Sequence, residues 1–435
     1  MNSTITAPGS SIPYLRTRLS VMMFLQYAIW GAWLPILYSF LSGHLKFTGE
    51  QIGYCFSAGA LGAIFGPFLA GQLADRTFAT QKILGVSHLA GALLVFLMGM
   101  TGEFNYFLAL SALYGLVYAP TMALTNSLAF AHIPNRDTDF GPIRVWGTVG
   151  WIAVGITVGQ ILFRYHTPAG VSADEVTTAQ NAGRAVAFQI SAGLGVLMGL
   201  YCFILPNTPP SRNAKQNTAW LEAFGEVAKM PLVLLFLIAV PVSIIHQFYF
   251  VQADAFIGSV QASIVEKGAF EKTISEVFGV GGGLMTIGQM TEILVLAMMP
   301  FLTKWFTRKH LLLIGLAAYA LRMALWAFMP TLPFVMAGIA LHGLCFGCFI
   351  FVAFMIVDEN TTGDIRATAQ SLFNLVIVGI GTIVGSIVAA NIVGNWASAS
   401  GTMDYTKLFT VPMWMAIGCF AIILVAYPNR AKSLT

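Results

Sequence analysis

The sequence predicts an all-α membrane protein with twelve transmembrane helices, and three features lead to this prediction. Only 9% of the 435 residues are charged, whereas 57% are hydrophobic. A soluble domain has about 25% charged residues, because Lys, Arg, Asp and Glu cover its surface against water. Apolar runs of about 20 residues, the length that a helix needs to cross a bilayer, recur along the chain. A protein of this composition must expose most of its apolar exterior to lipid.

Twelve apolar runs are candidates for these helices, and we number them spans 1 to 12. They cover residues 19–41, 52–74, 83–101, 106–131, 145–163, 186–206, 232–256, 277–301, 310–329, 333–357, 367–394 and 408–427. Each is too long for a strand of an outer-membrane barrel and lacks the alternation of such strands. Helices satisfy every backbone hydrogen bond within the segment, as hydrocarbon requires.

The charged residues predict the orientation of the chain. An even number of spans puts both termini on one side of the membrane. Fifteen of the 22 Lys and Arg residues fall on that side and six on the opposite side. Because positive charge accumulates in cytoplasmic loops, we expect both termini in the cytoplasm. A net charge of +4 over the whole length forms no phosphate-neutralising patch, so we expect no nucleic-acid partner.

The longest cytoplasmic loop divides the chain into two sets of six spans. We therefore predict an N-terminal bundle over 1–206, a linker over 207–231 and a C-terminal bundle over 232–435. Two repeated bundles with a substrate site between them near the bilayer midplane are typical of transporters. The five cysteines lie in apolar runs without a zinc-ligand set, and no nucleophile–base pair occurs in the loops. The sequence thus predicts a transporter without a metal, and not an enzyme.

Two charged loops predict a gating device. The loop after span 2 reads Gly71-Gln-Leu-Ala-Asp75-Arg76 and resembles the G-x-L-a-D-r loop of the major facilitator superfamily, which implies the major facilitator fold. The loop after span 10 carries Asp364 and Arg366. Such charges can cap helix ends and pair across the bundles in one conformation only. The alternative is that all four are solvated loop charges.

Four charged residues fall inside or at the edge of spans, where a charge costs about 2.5–3.5 kcal/mol and marks function by default. They are Arg144 at the edge of span 5, Asp254 near the end of span 7, Glu292 in span 8 and Arg322 in span 9. Asp254 is close enough to the outer end of its span to be a residue of the outer mouth only. Glu292 has two interpretations, a substrate ligand or a structural partner that neutralises Arg322.

Polar and aromatic side chains share helix faces in three spans. The sets are Arg144, Thr148 and Trp151 in span 5, Gln289 and Glu292 in span 8, and His342 and Phe346 in span 10. Hydrogen-bonding groups beside aromatic planes suit a planar heterocycle that carries hydroxyls. The alternatives are that the aromatic residues only pack and that His342 is a hydrogen-bonded core histidine rather than a proton relay.

One stretch resembles a known family. Asp139-Phe-Gly-Pro-Ile-Arg144-Val-Trp-Gly-Thr148-Val-Gly-Trp151 closely resembles the D-F-x-P-I-R-[IV]-x-G-T-[IV]-G-[FW] signature of bacterial nucleoside permeases in the nucleoside:proton symporter family. Further agreements occur at 26–33, 118–126, 289–292 and 365–370. The resemblance implies an importer in the bacterial inner membrane that moves a nucleoside with a proton, without any other cofactor. We expect it to act as a monomer.

The resemblance also implies site residues. Arg144, Thr148 and Trp151 would line the nucleoside site from the N-terminal half, and Gln247, Gln289, Glu292 and Phe346 from the C-terminal half. Spacing alone reaches the same set except Gln247. We add His342 as a substrate ligand and assign proton coupling to Glu292.

Three departures from the family pattern leave the cargo open. Phe250 replaces an Asn, His342 replaces a Tyr and Gly347 replaces an Asp. We expect His342 to take over the hydrogen-bonding role of the Tyr. Beside the nucleoside importer, the departures at Phe250 and Gly347 leave a second alternative, a transporter of another small polar solute such as a sugar or nucleobase, with or without proton coupling. A third alternative, of a different class, is a membrane sensor that transports nothing.

Overall fold

Twelve long helices make up the computed structural model, which describes residues 14–76, 78–209, 225–264, 268–361 and 366–428. At positions 63, 66–76, 136, 137 and 367 it describes the backbone only. Spans 1 to 12 run over Leu15–His44, Gly49–Arg76, Thr80–Met100, Phe104–His132, Arg136–Tyr165, Ala185–Cys202, Leu232–Ser263, Gly282–Trp305, Arg308–Phe328, Leu332–Glu359, 366–397 and Tyr405–Ala426. The described residues contain no strand. The prediction of an all-α protein with twelve spans is confirmed.

Helix bounds differ from the sequence prediction at two functionally important places. Span 5 begins at Arg136 rather than at 145, so Arg144 lies more than two turns inside the helix. Span 7 continues to Ser263, and Asp254 is an interior residue of this helix rather than a residue near its end. The apolar run underestimates both helices because a helix can extend beyond the hydrocarbon, where its residues are polar.

Within each half of the chain, the helices pack mainly on partners from the same half. Span 1 packs on span 5, span 2 on span 4 and span 3 on span 6, whereas span 7 packs on spans 11 and 12, span 8 on span 10 and span 9 on span 12. Span 2 also contacts span 11, and span 5 contacts span 8. The linker is described only up to residue 209 and from residue 225.

The contacts between the halves include a polar set on the side of the membrane opposite the chain ends, which we call the far side. Two short helices, Ala173–Gly183 and Ala269–Phe278, precede spans 6 and 8 there. The backbone N–H of Val280 donates to the Gly159 carbonyl at 3.2 Å. The amide of Gln160 donates to the Glu276 carbonyl at 2.7 Å. These bonds join the end of span 5 to the segment that leads into span 8.

Close approach of helix backbones depends on glycines at two of these interfaces. A Cβ on Gly62 in span 2 would lie 1.8 Å from the Gly115 carbonyl oxygen in span 4. A Cβ on Gly155 in span 5 would lie 2.7 Å from the Thr286 side chain in span 8. Small residues allow membrane helices to pack at van der Waals distance. These glycines therefore set the distance between neighbouring spans.

Helical irregularity occurs in span 1, at Leu34–Ile36 and Phe40–His44, and is most extensive in spans 10 and 11. The backbone has π-helical turns at Cys345–Phe351, Leu375–Ile380 and Ile387–Ile392. Such turns are frequent at functional sites because they re-aim side chains within an otherwise regular helix. The first of them contains Phe346 and Gly347, directly after His342.

Gly62→Ala should destabilise the fold, because its methyl group would overlap the backbone of span 4. Overpacking of this kind costs about 1–3 kcal/mol. We expect a lower melting temperature of the detergent-purified variant in a thermal unfolding assay. Gly59→Ala is the matched control, since a Cβ at Gly59 meets nothing within 4 Å. Equal melting temperatures of the two variants would contradict the assignment of Gly62 as the contact residue.

Candidate functional site

Glu292 lies near the middle of span 8 and keeps 17% of its side chain exposed. Its carboxylate oxygen Oε2 is 3.8 Å from Nε2 of His342 in span 10. The two helices approach closely here, because the backbone N–H of Gly343 donates to the Thr291 hydroxyl at 3.3 Å and Gly343 leaves no room for a Cβ. The structure therefore brings together two of the predicted site residues.

Arg322 lies behind His342 and is fully buried. One guanidinium nitrogen is 3.1 Å from Nδ1 of His342, and the guanidinium carbon is 4.7 Å from the centre of the Tyr249 ring and 5.1 Å from that of Tyr319. Within the described residues, no carboxylate lies within 4.0 Å of Arg322. The alternative in which Glu292 pairs directly with Arg322 is therefore wrong for this structure, since His342 stands between them.

Aromatic side chains of span 7 hold the His342 ring. Tyr249 stacks on it with ring centres 4.6 Å apart, and His246 stacks at 5.4 Å. Phe250 contacts its edge at 6.1 Å. His246 itself is hydrogen-bonded through Nδ1 to the Tyr319 hydroxyl at 2.8 Å. Sequence reasoning missed His246 and Tyr249, although their spacing of three places both on one face of span 7.

From the N-terminal half, Arg144 faces the same interior. Its guanidinium lies 4.0 Å from the centre of the Tyr27 ring of span 1, and its helix, span 5, contacts span 8, which carries Glu292. Among the described residues the two do not form an ion pair within 4.0 Å. Because Arg144 and Glu292 are both partly exposed, a polar ligand between them has access to a cation on one side and a carboxylate on the other.

The other predicted residues of span 5 lie on the same helix face. Thr148 and Trp151 are both partly buried. Trp151 contacts Trp30 of span 1 edge-on, with ring centres 5.7 Å apart. A Cβ on Gly31 would lie 2.8 Å from the Trp151 ring. Glycine at this position therefore makes room for the indole ring.

One predicted amide has an unused acceptor. Gln289 is buried, and its Oε1 atom has no hydrogen-bond partner among the residues that the structure describes. Buried polar atoms of this kind are uncommon, so Gln289 is a natural contact for a ligand. In contrast, Gln247 already donates to the Thr382 hydroxyl of span 11 at 3.2 Å. Phe346 is partly buried on the π-helical turn of span 10.

The position where the family pattern has an Asp is filled by a neighbour. A Cβ on Gly347 would lie 2.6 Å from Cγ1 of Val295 in span 8. Val295 is itself buried, and β-branched residues have one strongly preferred rotamer in a helix. The missing carboxylate therefore leaves no vacancy for a ligand, and Glu292 supplies the acidic group of the described site.

The position of Asp254 in the sequence predicted a residue of the outer mouth, and this prediction is wrong. It is 0% exposed and pairs with Arg184 at 2.9 Å, and the Arg184 side chain is 3% exposed. Its second oxygen accepts the backbone N–H of Gly282 at 2.6 Å, at the start of span 8. Arg184, which precedes span 6, belongs to the other half. This buried ion pair thus joins the two halves on the far side.

The predicted gating residues are described only in part. The side chains of Asp75 and Arg76 and the whole of Asp364 lie outside the described residues. Arg366 is exposed, and its Nε lies 3.5 Å from the Asp358 carboxylate, within the C-terminal half. Asp358 also accepts from the Gln370 amide at 3.0 Å. The gating role of these four residues stays a prediction.

Comparison with known proteins supplies the family. A sequence profile described as nucleoside H+ symporter matches residues 14–432. The transporter YegT of Escherichia coli (strain K12) is 33% identical over 380 residues, which cover 85% of this chain and 82% of YegT. The nucleoside permease NupG of the same organism is 25% identical over 423 residues, 94% of each chain.

The crystal structure of the nucleoside transporter NupG is similar to this structure with a TM-score of 0.79. It is 24% identical in sequence, and the match covers 95% of this chain and 100% of NupG. This likeness confirms the major facilitator fold. The matched proteins are transporters and not enzymes, and the family resides in the bacterial inner membrane. With its profile matched over nearly the whole length, the chain belongs to the nucleoside H+ symporter family of the major facilitator superfamily.

Proposed function

We propose that this protein imports a nucleoside together with a proton by alternating access. One observation carries the proposal: Arg144 and Glu292 lie on spans 5 and 8, which contact each other across the halves, and both are partly exposed without forming an ion pair within 4.0 Å among the described residues. A charge pair held apart in a low-dielectric interior is costly. A polar substrate that bonds to both groups would offset this cost.

The chemistry around the two charges suits a nucleoside. Trp151 and Phe346 offer aromatic planes for the base. The free acceptor of Gln289 and the carboxylate of Glu292 lie on one helix face, where they would accept hydrogen bonds from ribose hydroxyls or from base N–H groups. Thr148 would add a hydroxyl from the opposite half. The names of NupG and of the xanthosine permease of Escherichia coli, 26% identical over 420 residues, agree with this cargo.

Proton coupling is assigned to Glu292, with the proton as coupling ion and no other cofactor. Protonation would remove the negative charge opposite Arg144, so the attraction between the halves depends on the protonation state. Coupling requires that the proton affinity of this carboxylate differ between the two conformations, because a ligand without differential affinity shifts no equilibrium. Glu292 meets this requirement if closure on either side changes its distance from Arg144.

For alternating access, we infer that 1–206 and 232–435 move as two bundles joined by the linker. The excess of Lys and Arg supports cytoplasmic termini, which makes the far side the periplasmic side. The contacts that join the halves there, the Arg184–Asp254 pair and the Val280–Gly159 backbone bond, would then hold an inward-facing state. Opening to the outside requires that they break. We infer that the transporter acts as a monomer.

A second cargo class is favoured by Gly347. Since Val295 occupies the space of the family's carboxylate, the site has fewer acceptors for the hydroxyls of a ribose. A nucleobase or another small polar solute needs fewer hydrogen-bond acceptors than a nucleoside. In this alternative the solute is carried without a proton. Uptake of radiolabelled uridine and adenosine into proteoliposomes, with competing nucleosides, free bases and sugars, separates the two. Competition by nucleosides alone supports the first proposal, and stronger competition by free bases or sugars overturns it.

Glu292→Gln should uncouple transport, because an amide cannot carry the proton. In proteoliposomes with an imposed pH gradient, we expect accumulation of labelled nucleoside to fall to the level without a gradient. Exchange of internal for external nucleoside should persist, since the amide retains an acceptor oxygen. Gradient-driven accumulation equal to that of the wild type would contradict the role of Glu292. Loss of both reactions together with a lower melting temperature would show misfolding. Glu292→Asp is the control for this outcome, because it retains a carboxylate that can carry the proton.

Asp254→Asn should favour the state that is open on the far side. Removal of one partner from a buried ion pair costs about 3–5 kcal/mol, and about 1.4 kcal/mol already shifts a two-state ratio tenfold. Thr286, which is 1% exposed at the contact with Gly155, is a suitable reporter. The cysteine of Thr286→Cys is labelled with an impermeant maleimide that is added outside the cell. We expect the additional change Asp254→Asn to raise the labelling rate about tenfold or more.

The matched control for this experiment is Asp404→Asn. Asp404 is also a far-side carboxylate, but its partner Lys407 lies in the same half and both are exposed. Asp404→Asn should therefore leave the labelling rate of Thr286→Cys unchanged. The five native cysteines are buried, and a strain without Thr286→Cys measures their background. Equal labelling rates for the two Asn variants would contradict a lock between the halves at Asp254.

A further inference from the structure

Arg322 is a buried cation that the transport mechanism above does not use. It is fully buried, and two of its three guanidinium nitrogens, Nε and Nη2, have no hydrogen-bond partner in the described part of the chain. The effective cost of burying such a charge is several kcal/mol. The rings of Tyr249 and Tyr319 offset part of it through cation–π contacts. The remaining contact, the hydrogen bond to His342, is therefore the feature that calls for explanation.

This hydrogen bond fixes the tautomer of His342. A guanidinium can only donate, and its pKa is too high for it to lose a proton in a protein. Nδ1 of His342, at 3.1 Å, must therefore accept, and the ring proton must be on Nε2. A second ring proton would have to sit on Nδ1 and face the Arg322 cation. The same contact thus disfavours the charged imidazolium.

The surroundings of His342 contain no second group that acts on Nδ1 among the described residues. The titratable and charged side chains that contact it are His246 and Tyr249 of span 7, Glu292 of span 8 and Arg322 of span 9. Tyr319 lies beyond them, against His246 and Arg322. His246 uses its Nδ1 for the Tyr319 hydroxyl. Glu292 lies on the Nε2 side.

Packing holds the ring in this orientation. The stacked rings of Tyr249 and His246 fix its plane. A Cβ on Gly288 would lie 3.0 Å from Cβ of His342, so span 8 abuts the base of the side chain. The Nε2–H group consequently stays directed toward Glu292, 3.8 Å away. At this distance a small displacement or one bridging water completes a hydrogen bond.

We propose that Arg322 is a positioning residue of the transport site, which holds His342 as a neutral, permanent hydrogen-bond donor toward Glu292 and the substrate. This inference rests on the proposed function for its consequence, because it leaves Glu292 as the proton carrier and excludes His342 from that role. It also explains how a His serves where the family pattern has a Tyr. Both present a single donor, provided that the His is kept from charging.

The tautomer is measurable without transport. Solid-state NMR of protein labelled with ¹⁵N-histidine, in lipid bilayers, distinguishes Nε2–H, Nδ1–H and doubly protonated rings. The chain has seven histidines, and the spectrum of His342→Gln identifies the signals of His342. We expect a neutral ring protonated at Nε2 from about pH 5 to about pH 8, the range in which a free His titrates. An imidazolium, or a ring protonated at Nδ1, in the wild type would overturn the proposal.

Arg322→Met supplies the converse test. Met retains the length of the side chain but cannot donate, so Nδ1 is no longer required to accept and the His342 signal should gain a component protonated at Nδ1. Tyr319→Phe is the matched control, because it removes a hydroxyl from the same network and leaves the bond between Arg322 and His342. Its His342 signal should match the wild type. A His342 ring that stays protonated only at Nε2 in Arg322→Met would overturn the role of Arg322.

Uptake measurements connect this result to transport. If Arg322 positions a donor, Arg322→Lys, which retains a donor, should restore part of the nucleoside uptake that Arg322→Met loses. A merely structural role predicts equal losses in the two variants, which would overturn the proposal. Absence of nucleoside uptake in the wild type would contradict the proposed function, while the NMR result would still test Arg322.

Discussion

The cost of a charge in a low-dielectric interior governs this molecule. The chain carries few charged residues, and those that enter the spans each have a distinct means of compensation. Asp254 and Arg184 neutralise each other and share their remaining hydrogen bonds with Gly282 and Asn181. Arg322 rests between two tyrosine rings and a histidine. Glu292 and Arg144 remain separate and partly exposed. The least compensated charges are therefore those that a substrate can reach.

The sequence was sufficient for the helices and for much of the site. Apolar length located all twelve spans, because a lipid exterior leaves a long, simple signal. Spacing and the family resemblance brought Gln289, Glu292 and His342 to the same region, and the structure places Glu292 beside His342. The scarcity of charge makes such a prediction possible, since every intramembrane charge stands out from the apolar background.

What the sequence could not provide is the depth and pairing of the charges. Arg184 precedes an apolar run, so it looks like a loop residue, yet it is buried against Asp254 from the other half. A linear sequence contains no information on contacts between residues 70 positions apart. The same limit applies to Arg322, whose separation from Glu292 depends on an intervening His342 ring. The aromatic packing of span 7 was missed because Tyr and Phe are common in any membrane helix.

The Asp254 pair has a consequence for the role of water. Its carboxylate contacts Arg184 through one oxygen and the Gly282 amide through the other. In the proposed alternating-access cycle, separation of the halves takes the carboxylate away from Arg184 and leaves Asp254 with the amide, so both groups must acquire solvent. Opening on that side is therefore a hydration step, whose equilibrium depends on water activity. The rate of the transport cycle should then respond to osmotic pressure from solutes too large to enter the opening, independently of the substrate.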